Sequence, residues 1–103
     1  MRTFDATIVD PVHFARPVVP DSDGELAMAA GYAVLSSDER AVRYGRHCWS
    51  TDPEDAMLRR ALLRAMLRAM GHGVTVSPGV MWRQPETVTL GDGVWIGAYT
   101  IIQ

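Results

Sequence analysis

Few side chains in this 103-residue chain could do chemistry: His13, His47 and His72, the single Cys48, and a run of arginines. An imidazole has a near-neutral pKa and can take a proton from a hydroxyl. The three histidines are scattered, however. His13 lies in a proline-bearing arm, His47 near the end of an expected helix, and His72 in a Gly-His-Gly turn. A structural or solvated role is expected for each. Cys48 has no partner for an internal disulfide and nothing beside it at metal-ligand spacing, so it reads as an inert thiol in a reducing compartment. Arg60, Arg64 and Arg68 recur at i, i+4 spacing; such a stripe can hold phosphates, but a solvated helix face is the simpler expectation. Met57, Met66 and Met70 read as core filler. No catalytic, cofactor-binding or metal-ligating residue is assigned, and the substrate-binding residues are left open.

The elements that would position these groups begin with three helix starts. Ser22-Asp-Gly-Glu25, Ser36-Ser-Asp-Glu39 and Thr51-Asp-Pro-Glu54 each place a hydroxyl three residues before a carboxylate, the pattern of a capping box. The third start carries Pro53 in its first turn and leads into AMLRRALLRAMLRAM. That run predicts a helix over 55–70 that stops at Gly71. Leu58, Ala61, Leu62, Ala65, Met66 and Ala69 would form its apolar stripe.

Composition narrows the class. Hydrophobic residues make up 48% and charged residues 21%, the balance of one small globular domain rather than of a disordered tail. No apolar run reaches the ~20 residues of a membrane span. Acids at Asp5 and Asp10 interrupt any signal-peptide core, so a cytoplasmic location is expected. The net charge of −2 gives no pull towards nucleic acid. All ten basic residues are arginine, a bias that reads as genome composition rather than function.

After Gly71 the pattern changes to short β-branched pieces separated by Gly and Pro. Leu90, Ile96 and Ile102 are six residues apart; Val76 belongs to the same phase once two extra residues are allowed. Val80, Val94 and Thr100 follow four residues behind Val76, Leu90 and Ile96. Small residues, Ser77, Gly91 and Gly97, directly follow three of the aliphatics, and Asp92-Gly93 tolerates the positive φ of a corner. A six-residue period of this kind is the signature of a parallel β-helix, whose aliphatics stack from coil to coil. An antiparallel hairpin over Leu90–Ile102 is the competing arrangement.

The helix MLRRALLRAMLRAM, then GHGVTVSPGV, then PETVTLGDGVWIG resembles the hexapeptide-repeat sugar O-acetyltransferases, most closely those that decorate bacterial surface polysaccharides. The resemblance covers residues 57–103. It implies an α+β fold: an N-terminal helical segment followed by the first coils of a left-handed parallel β-helix. It further implies acetyl-CoA as co-substrate, a sugar or glycan acceptor, no metal, and a homotrimer with active sites between neighbouring prisms. The family's catalytic histidine lies on a coil downstream of the matched segment, and no histidine follows Leu90 here. In the maltose and galactoside branch, an acceptor aspartate would fall on Arg83 and an asparagine on Tyr99, so this chain departs from that branch. Trp82, Arg83 and Gln84 occupy the two-residue stretch and are expected at a corner, with Trp82 either stacking on a sugar or facing inward. A zinc enzyme resembling the gamma-class carbonic anhydrases would need converging histidines, which the in-frame coils lack.

The resulting division is an extended arm over 1–21, a helical segment over 22–70, and hexapeptide repeats over 71–103. Fewer than two full coils is little for a repeat fold, so these residues are expected to be the first part of a longer protein. A non-catalytic β-helix module for trimerisation or docking is the alternative function.

Overall fold

The computed structural model describes residues 20–102, so the arm, apart from Pro20 and Asp21, and His13 within it lie outside the described residues. The helix starts fold much as their chemistry dictates. In α1 (Asp23–Tyr32) the Ser22 hydroxyl accepts from the Glu25 amide at 3.1 Å. Glu25 does not complete the box. Its buried carboxylate instead pairs with Arg60 at 2.8 Å, tying α1 to the third helix. In α2 (Ser37–His47) the box is complete: Ser36 caps the Glu39 amide, and Glu39 reaches back to the Ser36 amide. Ser36→Ala is expected to cost about 1 kcal/mol, read as a lower urea midpoint.

The third start differs from its expectation. Asp52, not Thr51, caps α3 (Pro53–Met66), its carboxylate accepting from the Glu54 amide at 2.9 Å. Pro53 at the first helical position puts the cap on the residue before it, and a carboxylate there also meets the positive end of the helix dipole.

The helix stops at Met66, four residues short of the expected 70, and Leu67 is already extended. The cause is long-range pairing. The Arg68 amide donates to Val88 O at 3.0 Å and the Gly71 amide to Leu90 O at 2.8 Å, so Ala69–Met70 form a strand, β1. The repeat therefore starts two residues before Gly71, inside the segment expected to be helical. The buried face of α3 is also rotated from its expected stripe. Arg59, Ala61, Leu62 and Leu63 are buried, whereas Ala69 is an exposed strand residue. Helix α3 packs on α1, α2 and the strands at once, so more than one stripe of it is covered.

Five further strands follow: β2 (Thr75–Val76), β3 (Met81–Trp82), β4 (Thr89–Leu90), β5 (Trp95–Ile96) and β6 (Ile101–Ile102). The pairs are β1–β4, β2–β5 and β3–β6, all parallel, with partners offset by twenty residues throughout. The parallel direction excludes the hairpin. Strand starts are six residues apart except between β3 and β4, where a 3-10 turn (Pro85–Thr87) absorbs the two extra residues. The fold is thus an α+β mix of three helices and three short parallel strand pairs.

The core lies where the phase of the repeat places it. Val76, Leu90, Ile96 and Ile102 are buried, as are Val80 and Val94. Thr100, the third of that second set, is only partly buried and donates its hydroxyl to Gly97 O at 2.7 Å. Val74 and Val88 complete the interior, and Tyr44, Cys48, Leu62, Leu63 and Leu67 close it from the helical side. The corners need positive φ at Gly73 (69°), Gly79 (78°), Gln84 (48°), Gly93 (71°) and Tyr99 (60°). Gly91 is not such a corner: a Cβ there would meet nothing within 4 Å.

Candidate functional site

Two clusters gather the polar and aromatic groups of the described residues. The first is built around a buried charge that the sequence reading passes over. Arg59 is 2% exposed, and its guanidinium donates to three backbone carbonyls: His47 O at 2.9 Å, Ser50 O at 2.6 Å and Val76 O at 3.1 Å. The fork geometry of arginine suits such a task, because its donors are fixed in one plane. A signal was available: Arg59, Leu62, Leu63 and Met66 fall at i, i+3, i+4 and i+7, so Arg59 shares a helix face with buried leucines.

The loop that Arg59 clamps carries several candidate groups. His47 Nδ1 and Asp55 Oδ1 are 2.8 Å apart, linking the end of α2 to the start of α3. Hydrogen bonds from Ser50 and then His47 hold the Asp55 carboxyl below its ordinary range. Such a carboxylate fixes the tilt of an imidazole and is the kind of orienting partner a proton-transfer histidine uses. Cys48 is buried at the base of the loop, with its carbonyl accepting from the Gly79 amide. Burial raises its thiol pKa. A raised thiol pKa stabilises the fold fully below the unfolded thiol's value, near 9.0, and that contribution falls away as pH rises towards the folded value. Cys48 is accordingly expected to react with a disulfide reagent at neutral pH only as fast as the protein opens, with a burst on adding urea; rapid labelling of folded protein would refute its inert character.

Trp49, between the two carbonyls that Arg59 holds, is 61% exposed. Its ring lies 6.0 Å from that of Tyr99, at 35°. Tyr99 sits over Gly79, where a Cβ would come within 2.6 Å of the tyrosine ring. Beside Trp49 is a cavity of about 200 Å³ lined by Ala41, Tyr44, Gly45, Met66, Met81 and Trp82, with Cys48 at its base. Trp82 faces inward rather than projecting: it pairs with Ile102, and its indole N–H donates to the Tyr44 hydroxyl at 2.9 Å. That hydroxyl donates in turn to Val80 O at 2.8 Å, and burial pushes its pKa up. Gln84, with φ of 48°, is the residue that turns the chain here, and Arg83 is exposed.

The second cluster surrounds His72. Its Nδ1 accepts from the Asp21 amide at 3.2 Å, and its own amide donates to Asp92 Oδ1 at 2.7 Å. Asp21 also accepts from the Gly73 amide and pairs with Arg64, which donates to the Met70 and Gly71 carbonyls as well. The arginine stripe is therefore not a solvated face. Arg60 and Arg64 fasten α1 and Asp21 to α3, while Arg68 falls beyond the helix and donates to the Thr89 hydroxyl. These contacts satisfy backbone groups at a chain crossing, which is structural work.

The described residues contain no group of three or more His, Cys, Asp or Glu placed to hold a metal ion, and no helix among them is long and apolar enough to cross a membrane. No family model, no curated protein and no solved structure matches the chain.

Proposed function

We propose that this chain contributes the helical cap and first coils of a left-handed parallel β-helix to an acyltransferase that moves an acetyl group from acetyl-CoA to a sugar hydroxyl. The observation that carries the reading is the constant twenty-residue parallel register, which stacks Met70 with Leu90, Val76 with Ile96 and Trp82 with Ile102. Stacking of in-phase residues on three sides is what a hexapeptide repeat requires, and it supports the resemblance carried by PETVTLGDGVWIG.

In the proposed reaction a sugar hydroxyl oxygen attacks the thioester carbonyl. A C–O bond forms as the C–S bond breaks. The hydroxyl proton passes to a base and from there to the departing CoA thiolate, which leaves as the free thiol, while backbone N–H groups hold the oxyanion. The resemblance puts the base on a histidine downstream of the matched segment, so no residue of this chain is given that role. The reading includes a homotrimer working in the cytoplasm, and needs no metal.

The test is release of free CoA thiol from acetyl-CoA by the full-length protein in the presence of a panel of oligosaccharides. Sugar-dependent release is expected. A folded protein that releases none across the panel contradicts the reading. The exposed side chains of Met81 and Ile101, register partners on β3 and β6, favour the second reading, a non-catalytic module for trimerisation or docking. Stable trimers by light scattering with no CoA release would select it.

A further inference from the structure

We propose that Trp49 and Tyr99 form a preorganised ledge on which a neutral sugar ring stacks, with the cavity beside Trp49 receiving a substituent of that ring. Its ligand class rests on the acyl-transfer reading as well as on the chemistry of the ledge.

The first observation is the backbone at Tyr99. Four corner positions recur at the twenty-residue offset, Gly73 with Gly93 and Gly79 with Tyr99, and three of them are glycines with positive φ; Gln84, at the two-residue stretch, is a fifth residue with positive φ. The fourth is Tyr99, a residue type that rarely adopts φ of 60° and pays a conformational cost to do so. The ring recovers little of that cost by burial, since the residue is 74% exposed. Strain without a packing return points to a use for the ring itself.

The second observation is that the backbone on both sides of Trp49 is fixed although its side chain is exposed. Arg59 anchors the carbonyl of Ser50, directly after it, and that of His47, two residues before it, while the carbonyl of Cys48 between them accepts from Gly79. A backbone held on both sides by a buried guanidinium has already lost the loop freedom that binding would otherwise remove, while the Trp49 ring it carries is presented to solvent beside Tyr99. Gly79 completes the seat, because any side chain there would strike Tyr99 or Trp49.

The chemistry of the ledge selects the ligand. Aromatic faces are negative and attract the polarised C–H groups on one face of a pyranose. The cavity lining, Ala41, Tyr44, Gly45, Cys48, Trp49, Met66, Met81 and Trp82, contains no charged side chain, which disfavours a nucleotide or another phosphate-bearing anion. The two rings are also splayed, at 35° and 6.0 Å, and leave no parallel slot for a planar base.

The test uses saturation-transfer NMR on the full-length protein with maltotriose, cellotriose and mannotriose. Transfer to the ring C–H protons of at least one trisaccharide is expected. Trp49→Ala and Tyr99→Gly should each weaken that binding about tenfold, and Trp95→Ala should leave it unchanged. Tyr99→Gly keeps the positive φ without strain, so its loss of binding cannot be ascribed to unfolding. Unchanged binding in both ledge variants, or no transfer from any of the three sugars, overturns the proposal. The two readings also separate. Sugar-dependent CoA release with an unchanged acceptor KM in Tyr99→Gly removes the ledge and leaves acyl transfer standing. Binding that is lost in Tyr99→Gly, from a protein that releases no CoA, supports the ledge and removes acyl transfer.

Discussion

Replacing Arg59 with methionine is expected to destabilise the protein by about 3 kcal/mol, enough to lower its urea midpoint sharply. The side chain is 2% exposed and satisfies three carbonyls from three places in the chain: the end of α2, the loop before α3, and β2. Methionine fills similar volume and relieves the cost of burying a charge, which offsets part of the loss. It leaves the buried Val76 carbonyl and the part-buried His47 and Ser50 carbonyls without this donor, and a buried orphan costs about 1–3 kcal/mol. The balance is unfavourable. Arg59→Lys keeps the charge but not the fork, so it should fall nearly as far. A midpoint within error of the parent for Arg59→Met would show that water satisfies these carbonyls and that the clamp is unnecessary.

The second large effect is expected at Gly71, with Gly91 as its internal control. A Cβ on Gly71 would lie 2.6 Å from the Asp92 amide nitrogen and 2.7 Å from the Gly91 carbonyl carbon, both backbone atoms that cannot swing aside. Relief by moving apart would stretch the 2.8 Å bond from the Gly71 amide to Leu90 O and the bond from the His72 amide to Asp92. Gly71→Ala should therefore cost about 2–3 kcal/mol, in the range of overpacked interiors. Gly91→Ala meets open space and has no positive φ to satisfy, so it should be neutral or slightly stabilising. Equal effects at the two glycines would contradict the close approach of the first circuit of strands to the second.

These same residues show how far the sequence could be read. The phase of Val76, Leu90, Ile96 and Ile102 was legible because each points into the interior, where only an aliphatic side chain fits. The two-residue interruption between Val76 and Leu90 was also legible, and it corresponds to Gln84 and the turn after it. Less legible was the end of α3. Helical periodicity continues through Ala69, and nothing local says that amides 68 and 71 will pair with carbonyls twenty residues or so away. Long-range pairing overrode local propensity there. Positive φ at Gly93 was legible from Asp92-Gly93, whereas positive φ at Tyr99, two residues after Gly97, was not, because nothing about a tyrosine marks such a corner.

The candidate site was the least visible part. The histidines and the arginine stripe drew notice because their residue types suggest chemistry. Arg60 and Arg64 instead hold α1 and Asp21, and His72 accepts a backbone amide. Arg59, which stood next to the stripe, is the buried one. The pairing of Trp49 with Tyr99 joins residues fifty apart in the chain and depends on the corner backbone, which no spacing rule reports.

Both the acyl-transfer reading and the sugar ledge depend on the parallel winding that brings residue n beside residue n + 20. The direct test is oxidative cross-linking of the double variant Thr75→Cys, Trp95→Cys, whose positions are outward-facing register partners on β2 and β5. Paired strands bring their Cα atoms into disulfide range. The predicted result is near-complete formation of the 75–95 disulfide in folded protein, mapped by peptide mass, with Cys48 left reduced. The control Met81→Cys, Trp95→Cys, whose positions belong to different strand pairs, should stay reduced under the same oxidant. No 75–95 bridge in folded protein, or a bridge only in the control, would contradict the parallel register.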